Sequence, residues 1–196
     1  LADGVVLSQC IVQCTIMGQS LVIAYIDAAN LHKGVESLGW MLDYQIFRRW
    51  LEQKYGVQKV YLFIGYVSKN KELYIRLQEH GYILSYKEIT YDGDGKVKGN
   101  CDADLVLKVA RDFYEKRLQR AILVSSDGDY SSLVAFLKEQ GCFGTLLSPS
   151  NKCSFLLRKL NIPIVYLNML RGKLAFRSRK EKAPGTDESV QGSSSW

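Results

Sequence analysis

Leu21-Val22-Ile23-Ala24-Tyr25-Ile26-Asp27 is a run of six apolar residues that stops on an acid. Six residues suit a strand better than a helix, and the run has no polar alternation. A strand of that kind is covered on both faces, as in a parallel sheet between helices. Similar short runs recur at Val60–Ile64 (VYLFI), Tyr82–Tyr86, Ala121–Val124 (AILV), Phe143–Leu147 and Pro163–Leu167. Between them the period lengthens to that of a helix. Leu42–Tyr55 spaces Leu42, Ile46, Phe47, Trp50 and Leu51 at threes and fours. Lys71–His80 places Leu73 and Leu77 inward, and Asp102–Leu118 carries Leu105, Val109, Phe113 and Leu118 on one face. Tyr130–Gln140 and Lys152–Leu160 complete the set, while Gly56, Gly81 and Gly141 supply helix stops. Asp92–Asn100 reads as a Gly-rich polar loop. Strands alternating with helices predict an α/β fold, a three-layer α/β/α sandwich around a mostly parallel central sheet.

The chain has 196 residues, enough for one domain with a core of its own. Apolar residues make up 47% and charged residues 23%, which excludes a disordered or collagen-like chain. The predicted domain spans residues 21–170. Residues 1–20 read as an extension. Val5–Ile26 is uncharged for 22 residues, long enough to span a bilayer, but Ser8, Gln9, Gln13, Thr15, Gln19 and Ser20 interrupt it. No Lys or Arg flanks its start, so neither a secretory signal nor membrane association is expected, and a native start at Met17 fits this reading. A packed extra strand or helix stays open there. Residues 171–196 turn basic and then Ser/Gly-rich, a composition that predicts disorder. Arg171–Lys182 holds six basic residues and one acid within a net charge of +6. Such a tail either holds a polyanion by counterion release or serves as a solvated end. Five Cys without a CxxC pair point to reduced thiols and a cytoplasmic setting, and two His rule out a His-rich metal site.

In doubly wound sheets ligands bind beyond the carboxyl ends of the strands. Those positions are acidic here. Asp27 follows the first strand, Asp127 and Asp129 follow the fourth within Ser125-Ser126-Asp127-Gly128-Asp129, and Asp102 and Asp104 open the helix before it. Carboxylates that converge repel one another unless a cation neutralises them. Hard oxygen donors suit Mg²⁺ or Mn²⁺, which bridge to phosphate oxygens and activate water. Each acid also has a plain structural use: a helix cap for Asp102 and Asp129, a turn for Asp27, the helix dipole for Asp104. Asn30 is a turn former or an amide that orients a ligand, and Ser125 and Ser126 are supporting hydroxyls or turn residues. His32 reads as a surface turn residue. Tyr61, Phe63, Tyr82 and Tyr86 read as core, whereas Tyr66, Tyr91 and Tyr130 lie near the strand-end rim as candidates to stack bases. Asp92-Gly93-Asp94-Gly95 starts like a calcium loop, but Lys96 and Lys98 stand where ligands belong. Gly93, Gly95 and Gly99 miss the dinucleotide spacing by one residue.

Three segments are more specific together than any one alone. Tyr25-Ile26-Asp27-Ala28-Ala29-Asn30-Leu31, Lys98-Gly99-Asn100-Cys101-Asp102-Ala103-Asp104-Leu105-Val106-Leu107 and Ile122-Leu123-Val124-Ser125-Ser126-Asp127-Gly128-Asp129-Tyr130 resemble, in order and spacing, the acidic motifs of the NYN domain family. These are PIN-like, LabA-type predicted ribonucleases. The likeness runs from about Leu21 to Tyr166. It implies a PIN-like sandwich and divalent-metal hydrolysis of RNA, single-stranded by expectation, with no small-molecule cofactor. By matching position it assigns Asp27, Asp102, Asp127 and Asp129 as catalytic and metal-holding residues for Mg²⁺ or Mn²⁺. Asn30 and, more weakly, Asp104 support them. Lys108 stands where such proteins often carry an acid, which puts its own charge at that position. The basic tail and Lys96 or Lys98 would hold the RNA backbone. A homo-oligomer is compatible with this reading. The rival readings are a non-catalytic nucleic-acid-binding or regulatory module, and a phosphatase. A phosphoaspartyl enzyme wants acid-x-acid after its first strand, where this chain has Asp27-Ala28-Ala29.

Overall fold

The structure, a computed structural model, describes residues 20–87, 90–91, 97–98 and 101–176. In chain order the elements are β1 (Leu21–Asp27), α1 (Ala28–Glu36), α2 (Tyr44–Tyr55), β2 (Lys59–Gly65), α3 (Lys71–Glu79) and β3 (Tyr82–Lys87). Then come β4 (Thr90–Tyr91), β5 (Val97–Lys98), α4 (Asp102–Tyr114), β6 (Leu118–Val124), α5 (Ser131–Glu139) and β7 (Phe143–Ser148). The last are α6 (Phe155–Arg158), β8 (Ile164–Tyr166) and α7 (Arg171–Leu174). Six strands form one sheet in the order β3-β2-β1-β6-β7-β8, every pair parallel. The fold is α/β, as the alternation of periods predicts.

The two faces of β1 explain its unbroken apolar run. Ala24 and Ile26 pack with Leu31 and Val35 of α1 and Phe47 and Leu51 of α2. Ile23 and Tyr25 pack with Leu105 and Val109 of α4 and with Leu133, Val134 and Leu137 of α5. Successive side chains point to opposite faces, and both faces meet a helix layer.

Several elements depart from the periodic reading. Helix α1 was not expected. Asp27 caps it, its Oδ1 accepting the Asn30 amide at 3.0 Å, and Ala28, Leu31 and Val35 form its buried stripe. The stripe is short, and Gly34 within it argues against a helix until its neighbour is seen. A Cβ on Gly34 would lie 2.5 Å from Pro149 Cβ, so the glycine permits close packing. Helix α4 ends at Tyr114, not Leu118. Lys116 adopts φ 56°, and Leu118 opens β6 three residues earlier than expected. Helix α6 is a single turn rather than Lys152–Leu160. Ser154 Oγ accepts the Leu156 amide at 3.3 Å and Asn161 turns the chain at φ 49°. Within the expected loop after β3, Val97–Lys98 pairs antiparallel with Thr90–Tyr91. The apolar pattern also runs past Arg171. Leu174 of α7 is fully buried, its carbonyl accepts the Asp43 amide at 2.9 Å, and Ala175 bridges to Leu42.

No helix among the described residues is long and apolar enough to cross a membrane. The segment before Ser20, the glycines of the 92–99 loop, Lys96, and the tail beyond Phe176 lie outside the described residues, as do the side chains of Tyr91 and Lys98.

Candidate functional site

Chain connections run outward in both directions from β1 and β6, the two central strands. That reversal opens a crevice at their carboxyl ends, where doubly wound sheets bind ligands. Register pairs Ile26 with Val124, so Asp27 and Ser125 stand side by side at this edge. Helix α4 delivers Asp102 to the same place from its first residue.

The loop after β6 is held from three directions. Asn30 Oδ1 accepts the Ser126 amide at 2.9 Å and its hydroxyl at 3.0 Å. The Asp127 amide donates to Oγ of the fully buried Ser125 at 3.2 Å. The Ser154 amide donates to the Ser126 carbonyl at 3.0 Å. Asp127 Oδ1 in turn accepts the Asp129 amide at 3.1 Å and caps the 3-10 turn Gly128–Tyr130. Neither Asp102 nor Asp129 caps a helix. Cys101 is the N-cap of α4 and Tyr130 that of α5, and neither side chain bonds the first-turn amides of its helix. Asp102, Asp127 and Asp129 instead converge, each offering a carboxylate oxygen within 4.8 Å of the other two.

Asp27 sits beside this trio. It is buried at 7% exposure, and its Oδ2 lies 3.3 Å from the Tyr130 hydroxyl. That hydroxyl donates a short hydrogen bond to Asp102 Oδ1. Burial pushes the Asp27 carboxyl above the usual carboxylate range, and the charges of Asp102 and Asp127 push it further. The Asn30 amide and the Tyr130 hydroxyl oppose the rise. Burial among these acids drives the Tyr130 phenol far up, so it stays protonated and acts as a donor. Tyr130 is fully buried. It cannot stack bases, which corrects that expectation, and its importance was missed because an aromatic near a strand end gives no sign of where its hydroxyl points. Tyr66 is 43% exposed at the rim, and Tyr86, expected in the core, is 45% exposed beside it. His32 is exposed on α1, not in a turn, 3.6 Å from Glu36.

Two charged side chains expected near the site are engaged elsewhere. Asp104 pairs with Lys87 at 3.2 Å, joining the end of β3 to the start of α4. Lys108 Nζ lies 2.5 and 2.6 Å from the carboxylate oxygens of Asp112, and 4.3 Å over the Tyr61 ring. Asp112 is 1% exposed and also accepts the Tyr25 hydroxyl at 2.9 Å. The one signal of Asp112 in the sequence is its position four residues after Lys108, the spacing of a helical ion pair.

A crystal structure of a protein of unknown function from Vibrio parahaemolyticus is similar to the chain. Its TM-score is 0.67 at 21% identity, covering 80% of this chain and 97% of that one. This likeness concerns the fold. No curated protein matches the sequence. The NYN domain matches residues 22–160, from the second residue of β1 to just past α6, and the chain belongs to the NYN domain family.

Proposed function

We propose that this protein is a metal-dependent endoribonuclease that hydrolyses phosphodiester bonds of single-stranded RNA. The observation that carries the reading is the convergence of Asp102, Asp127 and Asp129 at the switch point of the sheet. NYN domains form a PIN-like nuclease family that acts on RNA, generally with divalent metal.

The donor set fits a divalent cation. Three carboxylates within mutual reach are hard oxygen ligands, and they lie at a crevice edge where a phosphate can approach. A bound Mg²⁺ or Mn²⁺ supplies charge neutralisation on the phosphate and a water of lowered pKa. Asp102, Asp127 and Asp129 would hold it. Tyr130 fixes the Asp102 carboxylate through its hydroxyl and shares that hydroxyl with Asp27. Asp27, with its raised pKa, accepts a proton at the site more readily than a surface carboxylate does. Asn30, Ser125 and Ser126 hold the loop that aims Asp127 and Asp129. The free thiols of Cys101, Cys142 and Cys153 accord with a reducing, cytoplasmic setting.

The test is cleavage of a single-stranded RNA in Mn²⁺, beside a phosphomonoester. Asp127→Asn and Asp27→Asn should each abolish RNA cleavage while the circular dichroism spectrum stays that of the parent. Parent-like cleavage by both variants refutes the assignment. RNA binding by the parent without turnover establishes a non-catalytic module instead, and turnover of the phosphomonoester alone establishes a phosphatase.

A further inference from the structure

Helix α6 lies directly against the loop that carries two of the three clustered acids. The Ser154 amide donates to the Ser126 carbonyl, and a Cβ on Gly128 would lie 2.5 Å from Ser154 Oγ and 3.2 Å from Leu156 Cδ1. Leu156 therefore faces the acidic loop and Leu157, fully buried, faces the core. Phe155, Arg158 and Lys159 fall at positions i, i+3 and i+4 of this turn and share its outer face. Phe155 is 68% exposed, and its ring stacks on no other ring among the described residues. Arg158 and Lys159 are exposed and form no ion pair among the described residues. An exposed aromatic beside free cations, fixed to the rim of an acidic centre, is the arrangement that binds single-stranded nucleic acid through stacking and phosphate contact.

Tyr86, also exposed at this edge, is less well placed. Tyr86 alternates in phase with Tyr82 and Leu84, which pack in the core of α1 and α2. Asp27 alternates in phase with Ile23 and Tyr25, which pack on the side of α4. Asp27 and helix α6, whose Leu157 packs in that same core, thus share one side of the sheet, and Tyr86 points to the other.

We propose that Phe155, Arg158 and Lys159 form a subsite for a nucleotide flanking the cleaved bond, the base stacking on Phe155 and its phosphate held by the two cations. This rests on the nuclease reading for its orientation, but its test does not require cleavage. The probe is a fluorescein-labelled single-stranded RNA of about ten nucleotides, within the usual footprint of such sites. Its binding to the full chain is followed by anisotropy in excess chelator, so no turnover occurs. Phe155→Ala should weaken binding about tenfold, the range of one lost base stack, and Phe155→Trp should restore it. Arg158→Ala with Lys159→Ala should reduce the slope of log affinity against log salt by about 0.7, the value for one phosphate neutralised on a single strand. Parent-like binding by Phe155→Ala overturns the subsite, as does a parent that fails to bind the oligomer. Equal loss of binding to duplex RNA also overturns it, because stacked pairs offer no free base face. If Asp127→Asn loses cleavage while Phe155→Ala binds normally, the subsite falls and the nuclease stands. If Phe155→Ala loses binding in a parent that cleaves nothing, the subsite stands and the nuclease falls.

Discussion

Oδ1 of Asp27 caps helix α1, and Oδ2 faces the Tyr130 hydroxyl. The carboxyl ionises less readily in the folded chain than in the unfolded one, chiefly because it is buried. Between the ordinary carboxylate value near 4 and that raised value, the folded state binds more protons than the unfolded. Stability therefore falls as pH rises through this window, and the full cost of the charge is present above it. Asn caps a helix as well as Asp does. Asp27→Asn should thus raise Tm at pH 7 in chelator, by about 2–4 °C for each kcal/mol recovered in a chain of this size. The gain should vanish as pH approaches 4, and thermal melts across that range check it. A variant less stable than the parent at pH 7 would show that the carboxylate stabilises the fold. Asp112 presents the opposite case. Its carboxylate is enclosed by Lys108 and Tyr25, and removing one partner of a buried pair costs about 3–5 kcal/mol. Because Lys108 is 26% exposed, Asp112→Ala should fall at or just below the lower end of that range. Urea titration should show a lower midpoint with an unchanged m-value.

Helix α1 and the β6–α5 loop show what single elements owe to their neighbours. The stripe Ala28, Leu31, Val35 was present in the sequence, but Gly34 weakens helix propensity and only Pro149, more than a hundred residues away, explains it. Helix α6 shrank for a related reason: Lys152–Leu160 has enough apolar residues for a helix, yet Ser154 is held by the acidic loop and starts the turn late. The same junction supplies a prediction. Gly128→Ala would place a methyl 2.5 Å from Ser154 Oγ and 3.3 Å from its Cβ, forcing the loop and α6 apart. Overpacking of this kind costs about 1–3 kcal/mol. The variant should melt earlier and bind Mn²⁺ more weakly, since Asp127 and Asp129 flank the moved residue. An unchanged Mn²⁺ affinity by calorimetry would mean that the loop absorbs the shift without moving its carboxylates.

Across the whole molecule, a sheet with every strand parallel brings residues far apart in sequence to one edge, and their repulsion is a cost that a cation relieves. A ligand that binds only the folded state stabilises it by about 2.7 kcal/mol at a hundredfold excess over Kd. Mn²⁺ should therefore raise Tm of the parent, chelator should reverse the rise, and Asp127→Asn should abolish it. A parent whose Tm ignores Mn²⁺ would remove the metal centre. The strands, their parallel direction and the acids near their ends were legible in the sequence, because burial on two faces leaves unbroken apolar runs, with Asp27 directly after one and Asp127 and Asp129 shortly after another. The sequence also named Asp102 and Asp129 without deciding whether they cap helices or face a common point. Only the tertiary structure settled that Asp127 and Asp27 do the capping, that Tyr130 turns its hydroxyl between Asp27 and Asp102, and that the Tyr25 hydroxyl meets Asp112. Apolar periodicity reports which side of an element is buried. It carries no information on which partner a buried polar atom meets, because that depends on segments brought together only when the sheet closes.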